Sequence, residues 1–153
     1  MDETIDKIDR AILRELQKDA GQSVDAVADR VNLSRNATWR RIKRLEEAGV
    51  IRARRAYLDA AKLGLGLTAL VLIRAAEHSD TWLQEFQAAA QAMPEIESAE
   101  RMSGELDYVL RIRVADMAAY DRFYKRLVAR IPIKDISASF VMEEIKEGGQ
   151  LPV

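Results

Sequence analysis

Eight cations crowd into residues 34–55: Arg35, Arg40, Arg41, Lys43, Arg44, Arg52, Arg54 and Arg55, against two acids, Glu46 and Glu47. The chemistry open to such a set is neutralisation of a polyanion, with guanidinium forks for phosphate or base edges and an ammonium as a point charge. The rest of the chain runs the other way. Residues 1–33 carry five cations and eight acids, residues 56–153 carry eleven and fifteen, and the formal net charge is −1. The basic block is therefore an island, the footprint of one nucleic-acid-binding element rather than of a wholly basic surface. A solvated helix face is the competing reading, because basic helix faces are common.

The elements that must position these cations follow from spacing. Ile5, Ile8, Ile12 and Leu16 recur at helical intervals, predicting an amphipathic helix over 4–18 that Ala20-Gly21 ends. Ser23 is placed to cap a short helix with stripe Val24, Val27, Ala28 and Val31. Asn32 tolerates the left-handed turn that follows, and Ser34 can cap a third helix over 34–48, whose inner stripe is Thr38, Ile42 and Leu45. Three short helices in this order suggest a helix-turn-helix. At about 100° per residue, Asn36, Trp39, Arg40, Lys43 and Glu47 face away from that stripe. In a major groove, Asn36 and Arg40 can read bases and Arg35, Lys43 and Arg44 can contact phosphates, with the Trp39 indole against sugar or a thymine methyl. Packing of Trp39 on a neighbouring helix is the alternative. Gly49 ends the helix, and Val50 to Arg55 reads as a short β-ribbon or wing whose Arg54 approaches backbone phosphate.

A linker is expected over 57–66, where "YLDAAKLGLG" has two glycines and little periodicity. The architecture then changes. Leu67–Arg74 is an apolar strand, and Ser79 caps a helix with stripe Trp82, Phe86, Ala89 and Met93 that Pro94 stops. Ile96–Met102 forms a strand and 103–105 turns. Leu106–Val114 alternates, with Leu106, Tyr108, Leu110, Ile112 and Val114 on one face. Asp116 caps a helix with stripe Met117, Tyr120, Phe123 or Tyr124, Leu127 and Ile131. A last strand over 133–142 places Ile136, Ala138, Phe140 and Met142 together. The order βαββαβ is ferredoxin-like, so the fold class is α+β with domains at 1–62 and 63–153. Leu70, Leu72, Val109 and Val141 lie on the second sheet face, which predicts self-association as a symmetric dimer.

Other functions find little support. The chain has no cysteine and one histidine, His78, which argues against thiolate catalysis, zinc fingers and metal centres; no cofactor is expected. The paired acids Glu46-Glu47 and Glu143-Glu144 are sequence neighbours that do not converge on one substrate. "GLGLTA" lacks phosphate-loop spacing. No run of about 18 apolar residues occurs and the start "MDETIDKIDR" is acidic, which points to the cytoplasm and away from membranes. A small-molecule enzyme on the second domain and an adaptor binding an acidic protein through the basic helix stay open as rival classes.

The stretches "IDRAILRELQKDAG", "VADRVNLSRNATWRRIKRLEEAGVI", "LGLGLTALVLI", "GELDYVLRIRVADMAAY" and "FVMEEIK" together resemble the Lrp/AsnC (feast/famine) transcriptional regulators over essentially the full length. "RMSGELDYVLRIRVADM", "FYKRLV" and the final "LPV" are most similar to its cysteine-responsive DecR branch. The resemblance implies a winged helix-turn-helix on double-stranded DNA, a ferredoxin-like effector domain, and dimers that often assemble four to a ring as octamers. It also implies a small amino-acid effector, cysteine by branch, near the loop Met102, Ser103, Gly104, Glu105, Leu106 and Asp107. Leu106 stands where many members carry an aromatic residue. Gly104 would let backbone amides approach a ligand carboxylate, and Asp107 could accept from an α-ammonium. A plain hairpin turn with a solvated Asp107 is the other reading of those two residues.

Overall fold

Asp6 opens the first helix. In the computed structural model, which describes residues 5–146 and 148–153, its carboxylate accepts from the Ile8 and Asp9 amides at 2.8 Å each, and the Asp9 carboxylate reaches back to the Asp6 amide at 3.1 Å. This reciprocal capping box starts α1 at Lys7, so α1 spans Lys7–Lys18. The expected helix start at Thr4 lies outside the described residues, while Ile5 precedes the helix. Asp6 is held down to about 2 from 3.8, first by the Asp9 backbone amide and then by the Arg41 guanidinium. Because its pKa is depressed on folding, its contribution is present above the unfolded value and is lost as pH falls from about 4 towards 2. The Asp6→Asn variant should show a shallower fall of Tm with acid across that window than the parent chain, measured by thermal melts at stepped pH. Parallel curves would contradict the cap.

Helix α2, Val24–Val31, is capped by Ser23 Oγ on the Ala26 amide at 3.1 Å, and α3, Arg35–Glu47, by Ser34 Oγ on the Ala37 amide at 3.3 Å. Between them Asn32 takes φ 54°, ψ 47°, the left-handed turn its short side chain tolerates. Ile12, Val27 and Ile42 close the small core, with Leu16, Val31, Leu33 and Ile51 against it. One position departs from the apolar stripe. Ile8 is 36% exposed, whereas Asp9 beside it is fully buried.

Residues 50–57 belong to no strand, so the expected β-ribbon is not formed within this chain. An unpaired two-stranded ribbon has little to stabilise it alone.

The second unit is built as the βαββαβ pattern requires: β1 Leu67–Ala75, α4 Asp80–Ala92, β2 Ile96–Arg101, β3 Tyr108–Val114, α5 Met117–Arg130 and β4 Ile133–Phe140. The sheet order is β2-β3-β1-β4, all pairs antiparallel. Ser79 and Asp116 cap α4 and α5 at 3.1 and 2.8 Å. Ala69, Val71, Ile73, Tyr108, Leu110 and Ile112 meet Trp82, Phe86, Ala89, Phe123 and Leu127 in the core. Trp82 stacks on Phe86 at 5.1 Å and donates its indole N–H to the Pro132 carbonyl at 2.7 Å.

Three strand ends are shorter than expected, β2 stopping at Arg101 and leaving Met102 outside it. β3 begins at Tyr108, leaving Leu106 half-buried before it, and β4 stops at Phe140, leaving Met142 96% exposed. Met117, expected on the α5 stripe, is also exposed, because it sits in the first turn. On the second sheet face Leu70, Leu72 and Val109 are half-buried, and Arg111 and Arg113 pair with Glu97 and Glu144.

The chain divides into two units, one from the N-terminus to Tyr57 together with the segment from Lys146 on, the other Leu58–Ile145. The segment from Lys146 on is grouped with the first unit by its contacts. Gln17 clamps Leu151, donating to its carbonyl at 3.2 Å and accepting from its amide at 2.6 Å, and Arg14 donates to the Val153 carbonyl at 2.8 Å. These bonds satisfy backbone groups of a segment assigned to no strand or helix among the described residues. Glu147, within that tail, lies outside the described residues.

Candidate nucleic-acid interface and effector loop

Helix α3 buries Thr38, Ile42 and Leu45 and nothing else along its length. Thr38 turns its hydroxyl inward to donate to the Ser34 carbonyl at 3.1 Å, so its methyl can pack. Everything opposite that stripe reaches solvent: Asn36, Arg40 and Lys43 are exposed, and Trp39 is 51% exposed. An indole left half in water on a cationic helix face is a ready contact for sugar or base methyl groups.

The cations differ in how they are held. Arg35 meets Asp25 at 3.3 Å, Lys43 meets Glu46 at 3.3 Å, and Arg54 meets the same Glu46 at 3.0 Å. Pairs this exposed contribute little and exchange readily for phosphate. Arg44 is different: its guanidinium donates to the buried Asp9 at 2.6 Å. Ser34, exposed at the N-cap, heads a helix whose first turn carries no acid, a favourable place for an anion.

In the second unit the loop 102–107 is a closed turn, the Met102 amide donating to the Asp107 carbonyl at 2.7 Å. Gly104 has φ 125°, and a Cβ added there would meet nothing within 4 Å. The backbone is thus bare to solvent at a position that favours glycine. Met102, Ser103 and Glu105 are exposed. Asp107 is already engaged: one carboxylate oxygen accepts from the Ala75 amide at 2.8 Å, and the other lies 3.8 Å from His78 Nε2.

Comparison with known proteins decides what these two units are. Residues 68–151 match the Lrp/AsnC ligand binding domain and residues 5–52 the winged helix-turn-helix DNA-binding domain. The chain belongs to the Lrp/AsnC family. It is a DNA-binding transcriptional regulator, not an enzyme. It is 47% identical over 150 residues to the DNA-binding transcriptional activator DecR of Escherichia coli (strain K12), covering 97% of this chain and 99% of the relative. The crystal structure of an AsnC family transcriptional regulator from Agrobacterium tumefaciens superposes with TM-score 0.91 at 48% identity, covering 96% of each chain. A transcriptional regulator of Neisseria meningitidis in complex with L-Met superposes with TM-score 0.91 at 33% identity, covering 97% of each chain.

Within this Lrp/AsnC chain, the sequence-predicted site residues fall into two groups on two units, Ser34 to Arg54 and Met102 to Asp107. Three residues near them escaped sequence reasoning. Arg74 and His78 flank the effector loop, Arg74 reaching Glu105 at 3.4 Å, because the β1–β3 register sets Ile73 opposite Tyr108 and so brings the end of β1 beside Asp107. The Arg74 Nε is buried without a partner. Asp9 is the third, hidden because a carboxylate between isoleucines reads as a solvated position. Among the described residues no three His, Asp or Glu side chains gather to hold a metal, and no helix is long and apolar enough to cross a membrane.

Proposed function

We propose that this regulator reads specific duplex sites through α3, with Asn36 and Arg40 on base edges, Arg35, Lys43 and Arg54 on phosphates, Trp39 against sugar or thymine methyl, and Ser34 at the helix start, while Arg44, expected on phosphate, is engaged by the buried Asp9 instead. The observation that carries this reading is the half-exposed Trp39 among exposed Asn36, Arg40 and Lys43, opposite a stripe of three buried residues. Two copies, paired through the open sheet face, present two such helices to two half-sites, and dimers assemble further, to octamers. The setting is the cytoplasm, and the targets are genes of amino-acid metabolism.

The same reading gives loop 102–107 a small amino-acid effector, with cysteine first by likeness to the DecR branch. Backbone amides beside the open Gly104 position suit a carboxylate, and the Asp107 oxygen facing His78 suits an ammonium. Binding must favour one arrangement of dimers over another, since equal affinity for both shifts nothing. Gly104→Leu tests this. DNA affinity should persist within about twofold while the change in DNA affinity on adding cysteine or methionine disappears, measured by fluorescence anisotropy; an intact response would remove the loop from the site. The whole reading is tested by mapping bound promoters with and without a panel of amino acids. It predicts regularly spaced half-sites whose occupancy shifts with at least one of them.

A further inference from the structure

We propose that Asp9 is a positioning residue for DNA recognition: its buried carboxylate fixes the rotation of α3 by holding two of that helix's guanidiniums on the α1 side. This rests on the assignment of α3 as the reading helix. Asp9 is fully buried, and a carboxylate so placed is costly unless each oxygen is bonded. Both are. Oδ1 accepts from Arg41 Nη1 at 2.8 Å; Oδ2 accepts from Arg44 Nη2 at 2.6 Å and from the Asp6 amide at 3.1 Å. Arg41 Nη1 also donates to Asp6 Oδ2 at 2.7 Å, so the acid that caps α1 belongs to the same cluster.

The placement matters more than the number of bonds. On α3, Arg41 and Arg44 lie about 60° and 120° from Thr38 on one side, while Trp39, Asn36 and Lys43 lie about 100° to 160° on the other. The buried stripe is three residues, Thr38, Ile42 and Leu45, and apolar contacts, being non-directional, do not by themselves fix the turn of the helix about its axis. Charge-assisted bonds to a fixed carboxylate do fix it, because their direction is restricted. A turn of about 20° moves a side chain at the outer helix radius of about 6 Å by about 2 Å, enough to break a bidentate base contact. Buried ion pairs are weak evidence for stability; fixing a register is their better-attested use. Asp9 thereby also draws Arg41 to the protein side, leaving Arg40 and Lys43 on the face turned away.

The test uses full-length Asp9→Asn and, as the milder change, Arg41→Lys, which keeps the charge and loses the fork. The probe is a duplex enriched by the parent protein from a random pool, compared with a scrambled duplex of equal length over a range of salt, with circular dichroism reporting the folded fraction. Positioning by Asp9 predicts that affinity for the enriched duplex falls about tenfold or more in Asp9→Asn, while affinity for the scrambled one is unchanged or higher, so the ratio collapses. Arg41→Lys should lower the ratio in the same sense, and it decides the matter if Asp9→Asn does not fold. Equal loss on both duplexes in step with unfolding, or an unchanged ratio in folded protein, overturns the role of Asp9. Failure of the parent to enrich any duplex overturns the reading helix itself and this inference with it.

Discussion

Trp82→Ala is expected to destabilise the effector unit by about 3–5 kcal/mol, the range for deleting a fully buried large aromatic. The side chain is 2% exposed, stacks on Phe86 at 5.1 Å and meets the Tyr108 ring at a tilt at 5.4 Å. Its loss removes that packing and also leaves the Pro132 carbonyl without the indole N–H it accepts at 2.7 Å. Trp82→Phe separates the two, keeping much of the packing while dropping the hydrogen bond, and should cost appreciably less. Denaturant melts followed by near-ultraviolet circular dichroism measure both. Because the two units carry separate cores, the alanine variant should show an early transition assigned to the effector unit; a single unchanged transition would contradict this packing.

Arg40→Ala should weaken specific DNA binding by about 1–3 kcal/mol, roughly 5- to 150-fold, with Tm unchanged. Arg40 is exposed on α3, opposite the buried stripe, so truncating it removes nothing from the core. Lys43→Ala behaves differently. It should weaken binding nearly uniformly across sequences and reduce the slope of log K against log salt by about one, as expected for one lost phosphate contact. Its exposed pair with Glu46 at 3.3 Å contributes little to stability, so folding should be indifferent. A fall in Tm for either variant, or a changed sequence preference for Lys43→Ala, would reassign these side chains.

Much of the architecture was legible because its signals are local. Ser23, Ser34, Ser79 and Asp116 each cap the helix that follows, and Asn32 turns left-handed where the chain needs it. The inward face of β3 alternates as written from Tyr108 to Val114. What escaped notice is non-local. The burial of Asp9 depends on arginines 32 and 35 residues away, and no periodicity in α1 reveals that a carboxylate, not Ile8, turns inward. Arg74 and His78 reach the effector loop through strand register, which a linear reading of 102–107 does not contain. Residues 50–55 have the composition of a β-ribbon or wing, yet a strand needs a partner, and no strand forms at 50–57. The tail shows the same limit from the other end: "LPV" has no periodicity that places it, and Gln17 and Arg14 bond it from a helix more than 130 residues earlier.

The most direct test titrates the purified regulator against its own promoter duplex across a salt series. Cations on the exposed side of α3 predict saturable binding at about 50 mM salt, an affinity that falls linearly in log–log form, and a shallower line for Lys43→Ala. Absence of binding at that salt, or an affinity indifferent to salt, would contradict the account.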